Sequence, residues 1–308
     1  MRLVADHVRV TVPATAGNLG PGFDALGLAM GVRDEVEVRA VAADEVVIDI
    51  EGEGAETLAR DESHLIVQAI RVALDEVGAS QTGLHIRAVN RIPHGRGLGS
   101  SAAAVVAGLA AVRGMVADPN AFDEVAMLRI ATTFEGHPDN AAPAIYGGAT
   151  VAWQDADGAH AVPLELSSEI ESAVLVPGSV LPTKEARAVL PPHVPHPHAA
   201  FNIGRASLLV HALAGRPDLL MPATEDKLHQ TYRADSMPSA MAMLRHVRDQ
   251  GLAAVVSGAG PSVLVLGVGL AEKGFATGRP EWAQGIGGDE WACVHTVGRV
   301  AGATFERL

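Results

Sequence analysis

The stretch PHGRGLGSSAAAV, from Pro93 to Val105, places three glycines at alternate positions, then two serines, then a run of alanines. Gly95, Gly97 and Gly99 permit positive φ angles and let backbone N–H groups approach a ligand closely. Apolar residues before the stretch predict a strand, and the alanine-rich run after it predicts a helix. A strand, a glycine loop and a helix N-terminus together form an anion site, because free N–H groups and the helix dipole favour negative charge.

The spacing of this loop excludes two common phosphate-binding motifs. No Lys-Ser or Lys-Thr pair follows the glycines, as a Walker A loop requires. The spacing is G-x-G-x-G, and no acidic residue follows before Asp118, which excludes the dinucleotide fingerprint. A loop without lysine needs positive charge from the helix dipole, Arg96 or Mg²⁺. The hydroxyl of Ser100 and the carboxylate of Glu135 are the oxygen ligands that Mg²⁺ prefers, although Glu135 alone is equally typical of a solvated helix end.

The composition predicts a chain large enough for two domains around a cleft. It has 308 residues, of which 48% are hydrophobic and 19% charged, so extensive disorder is not expected. The net charge of −13 argues against nucleic acid as the main partner, so any anion must be bound by local design. The single cysteine, Cys293, is typical of a small buried side chain and fits a cytoplasmic location. MRLVADHVRVTVPAT predicts a strand rather than a signal peptide, and no apolar run reaches the ~18 residues of a membrane span.

Apolar periodicity predicts strands and helices along the whole chain, and hence a mixed α and β class. The predicted strands are Val8–Val12 ending at Pro13, Val36–Val41 paired with Val46–Ile50, Gly83–Ile92, Ala173–Val176, Ala254–Ser257 and Val263–Leu266. The predicted helices are Ser63–Val77 capped by Ser63, Ser101–Val116 capped by Ser100 or Ser101, Phe122–Glu135, Ala199–Leu213 and Ser239–Arg248. A polar, turn-rich segment at Gln154–Ala161 predicts a domain boundary.

Several segments resemble one family of kinases. PHGRGLGSSAAA resembles the phosphate-binding motif of the GHMP kinase superfamily, and VSGAGPSVLVL, Val256 to Leu266, is similar to its glycine-rich C-terminal motif. The homoserine kinase branch is indicated by VPATAGNLGPGFDALGLAM (Val12–Met30), EGHPDNAAPAIYGG (Glu135–Gly148), LPTKEAR (Leu181–Arg187) and FNIGRASLLVHAL (Phe201–Leu213). The likeness extends from about Val10 to Leu266 and is weakest near the C-terminus.

The resemblance implies an α+β, two-domain GHMP kinase fold. An N-terminal α/β ATP-binding domain would span residues 1–157, and a C-terminal ferredoxin-like domain residues 158–308. The implied reaction transfers the γ-phosphoryl group of ATP to the side-chain hydroxyl of L-homoserine and yields O-phospho-L-homoserine, a threonine precursor. The implied cofactors are ATP and Mg²⁺. A cytoplasmic homodimer is expected, with no nucleic-acid or membrane partner.

The resemblance also implies a set of nucleotide-binding residues. They are Pro93, His94, Gly95, Arg96, Gly97, Leu98, Gly99, Ser100, Ser101, Ala102 and Ala103, with Ser100 and Glu135 at the metal. Adenine would lie in an apolar pocket with Val and Ile side chains from residues 60 to 95. The loop GAGPS, Gly258 to Ser262, would support the phosphate loop rather than contact phosphate directly.

The implied substrate is a zwitterion, and the chain offers opposite charges for its two ends. The resemblance assigns Arg187 and Arg233 to the carboxylate, which a guanidinium can hold at two points. Without the resemblance both arginines would be read as surface charge. Asp24 is assigned to the ammonium, and stabilisation of its glycine-rich turn is the alternative.

Amide side chains are assigned to the hydroxyl or ammonium group. Asn18 and Asn140 are the candidates, with Asp139 as the alternative to Asn140, and Thr183 is expected to line the pocket. We expect Asn140, Arg187 and Asn18 to be the catalytic residues. The resemblance implies that the site has no obvious general base, which is compatible with a loose phosphoryl-transfer transition state, because the hydroxyl proton can then leave late. Alignment and charge neutralisation would then carry the catalysis.

Two other functions remain open from the sequence. Another GHMP kinase, acting on an isoprenoid or sugar alcohol, would keep the nucleotide loop but would not need Asp24, Arg187 and Arg233. A non-catalytic sensor of ATP or an amino acid could keep both glycine loops and lose Ser100 or Glu135, yet both are present. Fold alone does not separate these functions.

Overall fold

The computed structural model describes residues 2–308, which build two β-sheets and the helices packed on them. The strands are β1 (His7–Gly17), β2 (Leu26–Val41), β3 (Val46–Gly52), β4 (Gly83–Asn90), β5 (Ala149–Asp155), β6 (Gly158–Leu164), β7 (Glu171–Pro177), β8 (Ala253–Val256), β9 (Val263–Gly267), β10 (Trp291–Val297) and β11 (Thr304–Arg307). The helices are α1 (Leu65–Glu76), α2 (Ser100–Met115), α3 (Glu124–Glu135), α4 (Ala141–Tyr146), α5 (Thr183–Ala188), α6 (His196–Gly215), α7 (Leu220–Ala223), α8 (Gln230–Arg233) and α9 (Pro238–Asp249).

The first sheet has seven strands and carries the phosphate loop at its end. Five strands lie in the order β11-β1-β2-β4-β3, and the hairpin β5–β6 joins the start of β2. Strands β3 and β4 are parallel, so the chain between them must cross over, and α1 supplies that crossover. Val8, Val10 and Val12 alternate toward the core under α1 and α2, whereas the opposite face carries charged pairs such as Arg9 with Glu37.

The second sheet has the strand order expected of a ferredoxin-like domain. Its order is β10-β7-β9-β8, and every neighbouring pair is antiparallel. Counted along the chain this is 4-1-3-2, with α9 on one face and short helical turns between β9 and β10. Cys293 is buried in this core, and burial raises the pKa of its thiol to about 12. The expectation of an unreactive buried cysteine is therefore confirmed.

Two of the strand predictions were wrong in detail. β1 does not end at Pro13 but continues to Gly17, because a register shift between Pro13 and Ala14 accommodates a residue that has no N–H to donate. The predicted pairing of Val36–Val41 with Val46–Ile50 does not form, because β4 lies between β2 and β3. The two segments follow each other closely in the sequence, which favours a hairpin, but the crossover through α1 places β4 between them.

The predicted helix caps also differ from those observed. His64, not Ser63, caps α1, and the hydroxyl of Ser63 donates to Asp61 instead. The residue before α2 is Gly99 in the left-handed conformation, so neither Ser100 nor Ser101 is the N-cap. Within the part of the chain that the structure describes, no side chain caps this helix. The first N–H groups of α2 are therefore free to bind an anion.

The predicted boundary between residues 157 and 158 stays a prediction. Strand β6 lies beyond it in sequence and pairs with β5 in the first sheet. Strand β11 also returns to the first sheet and pairs with β1. Within residues 2–308, no helix is long and apolar enough to cross a membrane.

Asp34 fixes the point where β4 leads into the phosphate loop. Its Oδ1 accepts hydrogen bonds from the backbone N–H groups of Arg91 at 2.6 Å and Ile92 at 2.8 Å. The side chain is buried, and burial raises its pKa to about 6, against the two backbone bonds that favour the ionised form. The carboxylate therefore positions the loop at some cost in stability when it is ionised.

We expect Asp34→Asn to gain stability relative to the wild type as pH rises. The folded-state pKa lies above the value of about 3.9 that an aspartate has in an unfolded chain. The stability that Asp34 contributes is therefore fully present below about pH 3.9 and is lost as pH rises through about 6. Asparagine keeps an acceptor for Arg91 and Ile92 without the charge. Urea unfolding at about pH 4.5 and about pH 7.5 should show the variant gaining about 2 kcal/mol between the two conditions. Asp49→Asn, on the exposed face of β3, is the control, and a gain no larger than that control would contradict the assignment.

Candidate active site

A polar cavity lies where the phosphate loop, the turn after β1 and the second glycine-rich segment meet. Its lining contains Asn18, Gly95, Gly97, Leu98, Gly99, Ser100, Ser101, Glu135, His137, Asp139, Asn140, Thr183, Arg187, Arg233, Gly258 and Ala259. Residues far apart in the sequence are thus brought to one place. Asp24 adjoins the cavity through its ion pair with Arg187.

The phosphate loop has the conformation that its glycines predict. Gly95, Gly97 and Gly99 have φ angles of 64°, 71° and 65°, in a region that side chains rarely adopt. The loop leads directly into α2, whose first turn has no side-chain cap. The backbone N–H groups at this helix start are therefore available to an anion.

The second glycine-rich segment packs directly on the phosphate loop. The hydroxyl of Ser257 donates to the carbonyl of Gly97 at 2.7 Å, and the N–H of Ser262 donates to the carbonyl of Arg96 at 3.4 Å. A Cβ at position 97 would overlap the carbonyl oxygen of Ser257. The segment therefore supports the phosphate loop from behind, as the sequence predicts.

The turn after β1 is held in an uncommon conformation. Asn18, Leu19 and Asp24 have φ angles of 67°, 47° and 57°, which are rare for residues other than glycine. The Asn18 amide donates to the carbonyl of Gly258 at 2.8 Å and accepts from the N–H of Asp24 at 2.9 Å. Asn18 thus joins this turn to the second glycine-rich segment. Its catalytic and substrate-binding roles stay predictions beside this positioning contact.

Asp24 and Arg187 form an ion pair at the side of the polar cavity. The guanidinium of Arg187 donates to the two carboxylate oxygens at 2.5 Å and 3.2 Å. Both side chains are about one-third exposed, at 34% and 32%. Arg187 also lies 5.6 Å from the ring centroid of Phe23. The structure thus joins in one ion pair the two side chains that the family resemblance assigned to opposite ends of the substrate.

Arg233 is a buried cation rather than a surface one. It is 1% exposed, and its Nε donates to the carbonyl of Ala186 at 2.9 Å. Burial, followed by the nearby positive charge of Arg187, lowers the pKa of Arg233 to about 10, so it remains charged at neutral pH. Two guanidinium groups close to each other favour an anion between them.

His229 links Arg233 to the turn after β1. Burial lowers the pKa of His229, which keeps the ring neutral. Its Nε2–H donates to the carbonyl of Gly20 at 2.8 Å, so its Nδ1 is free to accept from Arg233 at 3.0 Å. The ring therefore links the buried arginine to the backbone of the turn that carries Asp24.

His137, Asp139 and Asn140 form a hydrogen-bonded cluster, and the ligand atoms of His137 and Asp139 lie within 4.8 Å of the Asp24 carboxylate. Asp139 is 1% exposed and lies 2.5 Å from Nδ1 of His137, while the Asn140 amide donates to it at 3.2 Å. The hydroxyl of Thr15 donates to the Asn140 amide oxygen at 2.9 Å and orients it. Burial lowers the pKa of His137, but the hydrogen bond and charge of Asp139 outweigh burial and raise the pKa overall.

The predicted metal ligands Ser100 and Glu135 both line the polar cavity, and their role stays a prediction. The hydroxyl of Ser101, rather than that of Ser100, donates to the carboxylate of Glu135. Successive helical residues point about 100° apart, so one of two adjacent serines meets a given neighbour. All three residues line the polar cavity and offer the oxygen ligands that Mg²⁺ prefers.

A second, apolar cavity of about 320 Å³ lies on the other side of the phosphate loop. Its lining includes Ile66, which lies within residues 60 to 95, the range expected for an adenine pocket. It also includes Val12 from β1, Val36 from β2 and Leu58 from the segment before α1. Ser100 and Ser101 line both cavities and therefore connect them. Of the residues predicted to bind nucleotide, Pro93, Arg96 and Ala102 line neither cavity. Arg96 instead donates to the carbonyls of Pro177 and Gly178.

Comparison with known proteins agrees with the resemblance found in the sequence. The family profile described as the GHMP kinases N terminal domain matches residues 64–148. Homoserine kinase of Streptomyces coelicolor is 52% identical over 281 residues, which cover 91% of this chain and 91% of that protein. The chain belongs to the homoserine kinase family.

Solved structures agree with this family assignment. The crystal structure of homoserine kinase from Cytophaga hutchinsonii has a TM-score of 0.86 at 26% identity and covers 99% of both chains. Mevalonate diphosphate decarboxylase from Staphylococcus aureus has a TM-score of 0.69 at 13% identity over 98% of both chains, which shows the shared fold alone. The α+β, two-domain GHMP kinase fold expected from the sequence is confirmed.

Several residues of this homoserine kinase site were missed or undervalued at the sequence level. His137 was not assigned a role, and Asp139 was considered only as an alternative to Asn140. Both lie within three residues of Asn140 in the segment GHPDN, so that segment was the available signal. Thr15 and His229 could not be found in this way, because each acts through a contact with a distant part of the chain.

We expect Gly97→Ala to impair the phosphate loop of this kinase. A side chain there requires an unfavourable φ and overlaps the backbone of Ser257, so the two glycine-rich segments must separate. The expected loss is about 2 kcal/mol or more in the free energy of unfolding, together with weaker nucleotide binding. Urea unfolding and calorimetric titration with ATP measure the two effects.

Gly204→Ala is the matched control for that substitution. Gly204 lies in α6, and a Cβ there would meet nothing within 4 Å. Alanine should stabilise the helix by up to about 1 kcal/mol and leave nucleotide binding unchanged. If Gly97→Ala binds ATP as tightly as Gly204→Ala does, the contact with Ser257 does not support the phosphate loop.

Proposed function

We propose that this member of the homoserine kinase family transfers the γ-phosphoryl group of ATP to the side-chain hydroxyl of L-homoserine and releases O-phospho-L-homoserine. The observation that carries this proposal is the meeting of a phosphate loop with Asp24, Arg187 and Arg233 around one cavity. The 52% identity to a homoserine kinase supports the same substrate.

The substrate would exchange partners with the ion pair between Asp24 and Arg187. Its carboxylate would bind Arg187 and Arg233, and its ammonium group would bind Asp24. A zwitterion replaces both members of the pair, so no charge is left without a partner. Mevalonate would take Arg187 and leave Asp24 unpaired, and galactose carries no charge for either residue.

The side chains around the hydroxyl would align it for transfer. A bond would form between the homoserine oxygen and the γ-phosphorus, and the bond from that phosphorus to the β,γ-bridging oxygen would break and release ADP. The hydroxyl proton would pass late to an oxygen of the transferred phosphoryl group. Asn140, oriented by Thr15, and Thr183 would position the oxygen, while Arg187 would neutralise negative charge. Asn18 would act mainly by holding the turn that carries Asp24.

The residues near the phosphate loop fit a magnesium ion. The carboxylate of Glu135 and the hydroxyls of Ser100 and Ser101 would hold it, and these are hard oxygen donors. When bound, the ion would neutralise phosphate charge during transfer. These residues lie at or near the start of α2. The positive end of the helix dipole there would also stabilise the negative charge of the phosphate.

A cytoplasmic homodimer remains part of this proposal. The single cysteine is buried and unreactive, which is compatible with a reducing compartment. The expectation of a dimer comes from the family resemblance, and light scattering would measure the oligomeric state.

The function is tested by ADP release with Mg²⁺-ATP and a panel of alcohols. The panel contains L-homoserine, D-homoserine, L-serine, L-threonine, mevalonate and galactose. We expect strong stimulation by L-homoserine, because its hydroxyl has the reach and its two charges match the clamp. Turnover of another alcohol without turnover of L-homoserine would keep the nucleotide site and reject the substrate roles of Asp24, Arg187 and Arg233.

We expect Arg187→Ala to raise KM for homoserine by about 100-fold and to lower kcat, because it removes a bidentate contact and leaves Asp24 without its partner. Arg187→Lys keeps the positive charge but loses the two-point contact of the guanidinium. Its KM and kcat should therefore lie between those of the wild type and those of Arg187→Ala. Steady-state kinetics with homoserine as the varied substrate measures both. Arg216→Ala, which removes an exposed ion pair with Asp218, is the control. Kinetics of Arg187→Ala equal to that control would remove Arg187 from the site.

A further inference from the structure

His64 connects the start of α1 to the apolar cavity. It is the N-cap of the helix, and its Nδ1 accepts a hydrogen bond from the backbone N–H of Ile66 at 3.2 Å. The side chain is 5% exposed, so its ring is almost fully removed from solvent. The same ring lines the apolar cavity beside the phosphate loop.

The capping contact determines where the ring proton lies. A nitrogen that accepts a hydrogen bond carries no proton, so a neutral His64 ring has its proton on Nε2. Burial lowers the pKa of His64, and the nearby His94 acts in the same direction against the charge of Asp61. The ring is therefore neutral near pH 7, with Nδ1 as an acceptor and Nε2–H as a donor.

Among residues 2–308, the donor of this ring has no partner. Nε2 of His64 is buried and makes no hydrogen bond. Buried donors without partners are uncommon in folded proteins, because the lost hydrogen bond to water is not replaced. A group that lines a cavity can instead be satisfied by whatever occupies the cavity.

The cavity around this donor suits a flat apolar group that is attached to phosphate. Its volume is about 320 Å³, and its walls include Val12, Val36, Leu58 and Ile66. Ser100 and Ser101 connect it to the phosphate loop. A purine ring offers apolar faces together with ring nitrogens that accept hydrogen bonds.

We propose that His64 is a base-recognition residue whose Nε2–H donates a hydrogen bond to a ring nitrogen of adenine in the apolar cavity. This inference rests on the proposed use of ATP and adds the residue that selects the base. Nδ1 of this side chain then caps α1, and Nε2 of the same ring binds the base. Formation of the helix thus fixes the tautomer that binding requires.

The test compares variants that keep the cap and differ in the donor. Serine at position 64 can accept from Ile66 but is too short to reach the cavity, whereas asparagine can accept with its oxygen and donate with its amide nitrogen. Calorimetric titration of each protein with ATP, 1-deaza-ATP, 3-deaza-ATP and 7-deaza-ATP, without homoserine, measures binding directly. Gln68→Ala, an exposed change in the first turns of α1, is the control.

We expect the wild type to bind one of the three deaza nucleotides about three- to tenfold more weakly than ATP, the effect of one hydrogen bond. His64→Ser should lose ATP affinity by a similar factor and should no longer distinguish that analogue from ATP. His64→Asn should recover part of the difference, and Gln68→Ala should behave like the wild type. Thermal unfolding of His64→Ser close to that of the wild type would show that the cap is retained.

Two outcomes would overturn the inference. One is His64→Ser binding ATP as tightly as the wild type, which would mean that a buried water satisfies Nε2. The other is an equal loss for ATP and all three analogues, which would indicate altered packing rather than base recognition. If the wild type binds ATP and phosphorylates homoserine in either case, the proposed function stands and this inference alone fails.

Discussion

The backbone contact between Gly97 and Ser257 is the constraint on which the site depends. It presses the phosphate loop of the first sheet against the glycine-rich turn that follows β8 in the second. Because no side chain fits between these segments, their separation is set by backbone atoms and varies little. Asn18 extends the same junction to the turn that carries Asp24. The distance between the phosphate loop and the turn that carries Asp24 is thus determined by this backbone packing together with the Asn18 side chain.

Two carboxylates of the site have basic partners before any ligand binds. Asp24 pairs with Arg187, and Asp139 with His137, while Arg233 is held by neutral groups. A buried charge without a partner is costly, so a site for a zwitterion can be stable when its opposite charges satisfy each other. In the proposed binding mode, the substrate would replace the contact between Asp24 and Arg187 with contacts of its own. This arrangement favours ligands that carry both charges at the right separation.

Local sequence patterns predicted the phosphate loop, the longer helices and the strands β7, β8 and β9 of the second sheet, because glycine spacing and apolar periodicity depend on nearby residues. They failed where a distant strand decided the outcome, as for β4 between β2 and β3. At the site, the family resemblance supplied Asp24, Arg187 and Asn140, and the structure placed them together. His64 was missed as a cap because histidine is not among the preferred capping residues. The pairing of Ser101 with Glu135 depended on helix rotation, which spacing alone does not give.

The pairing of β11 with β1 has a consequence for how the protein is made. Val8 lies opposite Arg307, so the first sheet takes its edge strand from residues that leave the ribosome after the whole second sheet. Folding during synthesis must therefore proceed with the outer edge of β1 unpaired. Contacts of such long sequence separation form slowly, and an unpaired edge can recruit another chain. Truncation after β10 would leave that edge exposed and favour aggregation over a local loss of structure.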